Sequence, residues 1–195
     1  NLGGKQDKKF KITHDLNKKN PKYFMDLDLA ENFFLKFINF KSNYKNGSNI
    51  KSEINFTNKN IFFKYIKFTE DKNLISINNL KINNKNDLVS ISNLEVQTFN
   101  NKEENNNFKI YFKDKILITG NKYDATNLLE EISSDSKTNP LKSYTKTIEI
   151  KLKNLVTKSQ ATLSNFILIG KINKGKFEKL SAKSEFSKNQ FLDVT

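Results

Sequence analysis

The chain has no cysteine, no tryptophan and no arginine, and it carries one histidine, one methionine, two prolines and six glycines in 195 residues. Without Cys there can be no disulfide, no thiolate nucleophile and no Cys-ligated zinc; this does not fix the redox compartment, since an exported protein can also lack Cys. The absence of Arg weakens any nucleic-acid reading, because bidentate contacts to phosphates and bases lean on guanidinium groups. His14, the single histidine, stands in a polar leader with no ligand-spaced partner, so no metal site is expected. No run of apolar residues approaches a membrane span, and no signal-peptide pattern is present. GxSxG, P-loop, GxGxxG and HExxH are all missing. "KEENNN" (102–107) lacks the alternating oxygen spacing of a calcium loop and reads as a charged hairpin turn. These absences leave no case for an enzyme and none for a cofactor. The first residue is Asn1 rather than Met, so the chain reads as a piece of a longer protein, with any anchor or export signal outside it.

What the chain does contain is Lys, Asn, Ile and Phe. The net charge is +13, all of it from Lys, and the 36% hydrophobic content includes 17 Phe and 6 Tyr. Mean hydropathy is −0.67, which argues against a large closed core. Some of this bias is what an AT-rich genome would produce. A lysine-rich outer face keeps an apolar interior soluble or sits near anionic headgroups.

Alternation of apolar and polar residues sets the fold class. Strand-like stretches fall at about 23–29, 48–57, 60–69, 73–83, 87–99 and 107–119, then at 144–157, 160–171, 176–187 and 190–195, separated by polar turns. The chain is therefore expected to be mainly all-β, antiparallel and strongly curved. Curvature comes from a recurring feature. In "ISINNLKI", "VSISNLEV", "IKLKNLVT" and "ATLSNFIL" an Asn precedes Leu or Phe, and the apolar step changes from two to three. A strand keeps its inner face through such a step only with an inserted residue, as in a β-bulge. Alternatively, each Asn ends one strand and the next strand begins there. The inward face reads as Ile54, Phe56, Ile75, Ile77, Leu80, Ile82, Val89, Ile91, Leu94, Val96, Phe108, Ile110, Phe112, Ile116 and Ile118, continuing through Ile148, Ile150, Leu152, Leu163, Phe166 and Leu168. Strand 60–69 is ambiguous, since Phe62, Ile66 and Phe68 compete with Ile61, Phe63 and Tyr65.

"ITGNKYDATNLLEEIS" (118–133) breaks the alternation and predicts a short helix over about 125–132. Asp124 is placed to cap it, while Tyr123 and Leu128 have the spacing of a hydrophobic staple. As a catalytic acid Asp124 would lack any His, Arg or second carboxylate nearby in sequence. An upstream segment, "MDLDLAENFFLKFINFKSNYKNGS", has the same order of strand, helical turn and polar loop, with Phe33, Phe34, Phe37 and Ile38 on one helical face. Five strand-like stretches separate the two, which suggests a structural repeat.

The segment "GNKYDA" before paired leucines, followed by a low-complexity loop and "IEIKLKNL…ATLSNFILIGKINKGKFEKLSAKSEF", resembles the AsmA/YhdP-type family of bacterial envelope proteins, in its alphaproteobacterial form. The resemblance covers about residues 21–195. Lys and Asn stand where relatives often carry Arg and Gly. It implies a repeating β-groove whose short helix crosses the open side between units, with residues 1–20 a polar leader, 21–120 a first groove unit, 121–143 the crossing and 144–195 a second, incomplete unit. It also implies location in the periplasm within an inner-membrane-anchored protein, phospholipid acyl chains as partners, and movement of phospholipid between inner and outer membrane. No nucleic acid enters this picture, and open edge strands would favour edge-to-edge self-association. Two readings stand beside it: a structural or adhesin-like β-sandwich with a closed core, and a scaffold that binds a protein by strand addition.

Overall fold

The structure, a computed structural model, describes residues 10–15, 21–128, 145–159, 161–173, 176–187 and 190–194. The elements in chain order are β1 (Phe10–His14), β2 (Lys22–Asp28), β3 (Phe34–Leu35), β4 (Phe40–Lys41), β5 (Asn49–Phe56), β6 (Asn60–Glu70), β7 (Asn73–Asn83) and β8 (Leu88–Ser90). They continue with β9 (Asn93–Asn100), β10 (Glu103–Phe112), β11 (Ile116–Asp124), β12 (Lys146–Val156), β13 (Thr162–Asn173), β14 (Lys176–Ser187) and β15 (Gln190–Val194). Among the described residues, one 13-stranded sheet takes all of these except β3 and β4, in the order β1-β2-β5-β6-β7-β9-β10-β11-β12-β13-β14-β15, with β8 appended to β7. The sheet does not close. All pairings along it are antiparallel except β11 with β12, which run parallel.

Turn chemistry explains the hairpins. Asn101 and Lys102 both take positive φ between β9 and β10, the left-handed pair whose twist matches two antiparallel strands. This corrects the reading of "KEENNN" as the turn: Glu103–Asn107 lie inside β10, and Asn105 and Asn106 are buried. The stretch read as one strand over 107–119 is two, β10 and β11, joined at Lys113–Lys115. Six strands of the main path, not five, therefore lie between the two non-strand segments.

The upstream segment is not a helix. Residues 29–48 form the two-residue strands β3 and β4 with 3-10 turns at Lys36–Ile38 and Tyr44–Asn46. Asn39 closes the first turn in the left-handed region, and Gly47 closes the second. Of the four residues expected on one helical face, Phe34 and Phe37 are exposed while Phe33 packs against the core and Ile38 is fully buried, so they do not share a face. Of the expected downstream helix, Ala125–Leu128 form its opening turn, with the Leu128 N–H donating to the Ala125 carbonyl at 3.0 Å, and 129–132 lie outside the described residues. No described helix is long and apolar enough to cross a membrane.

The sheet's core lies on one face. Val96, Phe108, Leu152, Phe166 and Ile172 are buried although the only other described sheet is the two-stranded β3-β4 pair. The 29–48 segment supplies part of their cover, with Ile38 and Phe40 in the same buried cluster.

Candidate functional site

Register builds the inner face into rows that cross the strands. One row passes through Leu27, Ile50, Phe68, Ile75, Val96, Phe108, Gly120, Leu152 and Phe166. The next passes from edge to edge: Ile12, Met25, Ser52, Ile66, Ile77, Leu94, Ile110, Ile118, Ile150, Leu168, Ala182 and Val194. Ser52 is the one polar member. Further toward one end of the strands, Ile54, Phe63 and Leu80 align, then Phe56, Ile61 and Ile82. Phe112, Ile116 and Ile148 continue this side on the later strands.

Parity changes keep these rows inward. On β6 the inner set passes from Ile66 and Phe68 to Ile61 and Phe63 across a bulge, so each of the two competing sets for 60–69 is right in part, and Phe62 and Tyr65 fall off the inner rows. On β7 Asn79 takes φ 53° between Ile77 and Leu80, and on β13 Asn165 takes φ 51° between Leu163 and Phe166. At Asn165 the register to β14 also shifts, between Ser164 and Ile167, as the bulge reading requires, whereas at Asn79 the register to β6 is unshifted and the left-handed backbone alone turns the face. Asn93 instead begins β9 after a break at 91–92, as the alternative has it, and Asn154 keeps unbroken register. The break displaces two expected lining residues. Val89 is exposed beside Leu88, which faces Ile82, and Ile91 falls between β8 and β9 rather than on a strand. The register places the other lining residues named from the sequence on these rows or, for Leu163, beside Leu155.

The two long rows differ in exposure. The first is mostly buried: Phe68, Ile75, Val96 and Phe108 are 5%, 8%, 1% and 2% exposed. Over it lies the 29–48 segment, a roof that the sequence did not reveal. Phe33 and Phe40 pack edge-on against Phe68 at ring separations of 5.1 and 5.9 Å. The edge-to-edge row is mixed: Ser52, Ile118, Leu168 and Ala182 are buried, Met25, Ile66, Ile77, Leu94, Ile110 and Ile150 are half-buried, and Ile12 and Val194 at its two ends are exposed.

A buried polar network ties the roof to four strands. Asn106, fully buried on β10, donates to the Ile38 carbonyl at 2.7 Å and to the Thr98 hydroxyl at 2.9 Å, and accepts from the Asp124 N–H at 2.9 Å. Asn39 donates to Asp124 Oδ2 at 2.9 Å. The Tyr123 hydroxyl donates to the Phe37 carbonyl at 2.8 Å, and burial, with the Asp124 charge adding, pushes that phenol well above its ordinary range. On β6, buried Glu70 accepts from the Ser48 hydroxyl and from the Asn43 N–H at 2.8 Å.

The "GNKYDA" segment acquires a role for each distinctive residue. A Cβ on Gly120 would lie 2.3 Å from the Asn107 carbonyl oxygen and 2.5 Å from Phe108 Cα, so the strands touch there only because the residue is glycine. Asp124 Oδ1 accepts from the Thr126 N–H at 3.2 Å, as a cap does, while Oδ2 holds the roof. Tyr123 packs tilted on Phe108 and clamps Phe37, a roof contact rather than only a staple, and Leu128 packs against the same core. The groups bonded to Asp124 are the Asn39 and Asn106 amides and the Thr126 hydroxyl and N–H, none of which is an acid–base partner. Among the described residues no group of three potential ligands could hold a metal.

The outer face carries the charge. Glu149 is held down to about 2 by hydrogen bonds from Lys115 and Lys151. For Glu53 burial pulls upward, but the Lys22 and Lys64 ammonium groups at 3.1 and 3.3 Å outweigh it and hold the carboxyl below its ordinary value. Comparison with family profiles, characterised proteins and solved structures returns no match for the chain.

Proposed function

We propose that the chain is a segment of a lipid-conducting β-groove of the AsmA/YhdP type, which moves phospholipid between inner and outer membrane through the periplasm by holding its acyl chains against the inner face. The observation that carries this reading is the edge-to-edge apolar row on an open sheet, aligned across every strand of the path, half-buried at six of its twelve positions and exposed at both ends. Monomers seldom leave an apolar patch larger than about 300–600 Å² uncovered. Acyl chains are a fitting cover. A sixteen-carbon tail gains about 12 kcal/mol on burial at ~0.8 kcal/mol per CH₂. Because Ile and Leu dominate the row, the gain changes little from strand to strand, and a tail can be held strongly yet shift along the row.

Native mass spectrometry of the 195-residue chain after exposure to a dipalmitoyl phospholipid tests this. The expected result is a retained diacyl lipid, lost in Ile110→Asp. A photo-crosslinker at Ile110 should label lipid where one at the outward Lys109 does not. A lipid-free wild-type chain, or equal labelling from the two positions, overturns the reading. The roofed row supports a second reading, a structural β-protein with a closed core, because Ile38 and Phe40 are 0% exposed. That reading expects a dry interior with no retained lipid.

A further inference from the structure

We infer that the two edge strands of the sheet are shaped for each other on separate copies of this chain, with β15 of one copy pairing in parallel with β1 of the next in a head-to-tail row.

Polarity comes first. Between β1 and β15 the strand order contains ten antiparallel steps and one parallel step, so the two edges point the same way. A second copy displaced along the sheet, inner face on the same side, presents its β1 parallel to β15. Were β11 and β12 antiparallel, the edges would oppose and no such translation would pair them in this sense.

Register comes next. The edge-to-edge row ends at Val194 on β15 and begins at Ile12 on β1, and both are exposed, at 41% and 54%. Setting these two side by side continues the row without a step. On the same face it brings Leu192 beside position 10, and Leu192 packs against the core.

Charge agrees with that register. On the outer face Asp193 then meets Lys11 of the next copy. Within the chain, Asp26 already lies between Lys11 and Lys51 in register, with the Lys51 ammonium 3.2 Å away. Asp193 has Lys183 on one side at 3.4 Å and the sheet edge on the other. Lys11 of a second copy completes the same lysine–aspartate–lysine order. Antiparallel docking would instead place Asp193 opposite Thr13 and Leu192 opposite His14. Exposed edges of a sheet are templates for such pairing, and a contact between two different edges extends into rows instead of closing. Strands of five residues keep it weak.

The pairing stands apart from the lipid reading, because its test uses no lipid. Sedimentation of the 195-residue chain at low salt should show a mass that rises with concentration beyond a dimer. Lys11→Glu and Asp193→Lys should each weaken association about five- to tenfold, since like charges then face each other at the junction. An equimolar mixture of the two variants should regain it, because every alternating junction is again opposite in sign. Contacts inside each chain are the same in the mixture as in the separate variants, so this recovery reports the junction alone. The chain has no native cysteine, so engineered pairs can read polarity. Phe10→Cys with Leu192→Cys should give an intermolecular ladder, and His14→Cys with Leu192→Cys should not. A monomer at all concentrations, no recovery on mixing, a mass that stops at a dimer, or cross-linking mainly through His14→Cys each overturns the proposal.

Discussion

Gly120 shows how one residue type fixes a contact between strands. It faces Phe108 in register, at a bulge where β11 carries an extra residue, Asn121. Any side chain there meets backbone atoms, which cannot swing away as a flexible side chain could. Gly120→Ala should therefore destabilise the chain by about 1–3 kcal/mol, the usual cost of overpacking, read from denaturant unfolding. Ser52 presents the opposite case. It is 1% exposed in the middle of an apolar row, and its hydroxyl has no hydrogen-bond partner. Ser52→Ala removes an unpaired polar group at nearly constant volume and should stabilise the chain by about 1 kcal/mol in the same assay. Glu149 sets a pH window. Its pKa is depressed from 4.5 to about 2, so its stabilisation is complete above about 4.5 and disappears as pH falls toward 2. The difference in melting temperature between wild type and Glu149→Gln should thus shrink over that interval and hold constant at higher pH.

At the scale of elements, the roof is a detour rather than a link. Asp28 and Asn49 are already paired across β2 and β5, so residues 29–48 leave the hairpin and return to the point of departure. Replacing 29–48 by Asn-Gly, a favoured two-residue connection, should preserve the strand signal in far-UV circular dichroism. It should also bare Phe68, Ile75, Val96 and Phe108 and raise binding of an apolar dye severalfold. Loss of the strand signal would show that the roof is needed to form the sheet and not only to cover it. The roof's concealment in the sequence has a physical reason. Its burial is set by long-range amide bonds, such as Asn106 to the Ile38 carbonyl, and no local period reports those. The missed hairpin at 113–115 has another reason. Phe112 and Ile116 are four apart, so the turn leaves every inner residue from Phe108 to Ile118 on an even number. A period of two cannot register a turn that preserves parity. Asn79 and Asn165 were legible because parity changes there within a continuous strand. Asn93 and Asn154 sit in the same local sequence, and the neighbouring strands decided differently for each.

For the whole molecule, the open path of strands sets a length. Eleven inter-strand steps of about 4.8 Å give a sheet roughly 53 Å from edge to edge. A compact chain of 195 residues has a radius of gyration of about 16 Å. Small-angle scattering on dilute samples should give a larger value and a maximum dimension of at least about 53 Å. A value at the compact figure would mean that the sheet folds over on itself into a sandwich. The sequence showed the all-β class and the inner face of most strands, since period-two alternation reports both directly. The units inferred at 21–120 and 144–195 share one continuous sheet, joined where β11 meets β12.

That parallel junction also bears on how the chain acquires its structure. Apart from β2 and β5, which the 29–48 roof separates, pairs on either side of it join strands close in sequence, as Phe112 does with Ile116 across one tight turn. The junction itself pairs Ile116 with Ile148 and must first close the longest loop in the sheet. Loop-closure entropy grows only logarithmically, so going from about four residues to about thirty-two adds roughly 2 kcal/mol to the cost of that step. Each flanking run of strands can zip from its own turns before the junction forms. Refolding should accordingly proceed as two meanders that assemble separately and join last, with β11 and β12 the final pair to gain protection from hydrogen exchange. During synthesis the earlier meander would stand complete while the strands that are to join it are still being made.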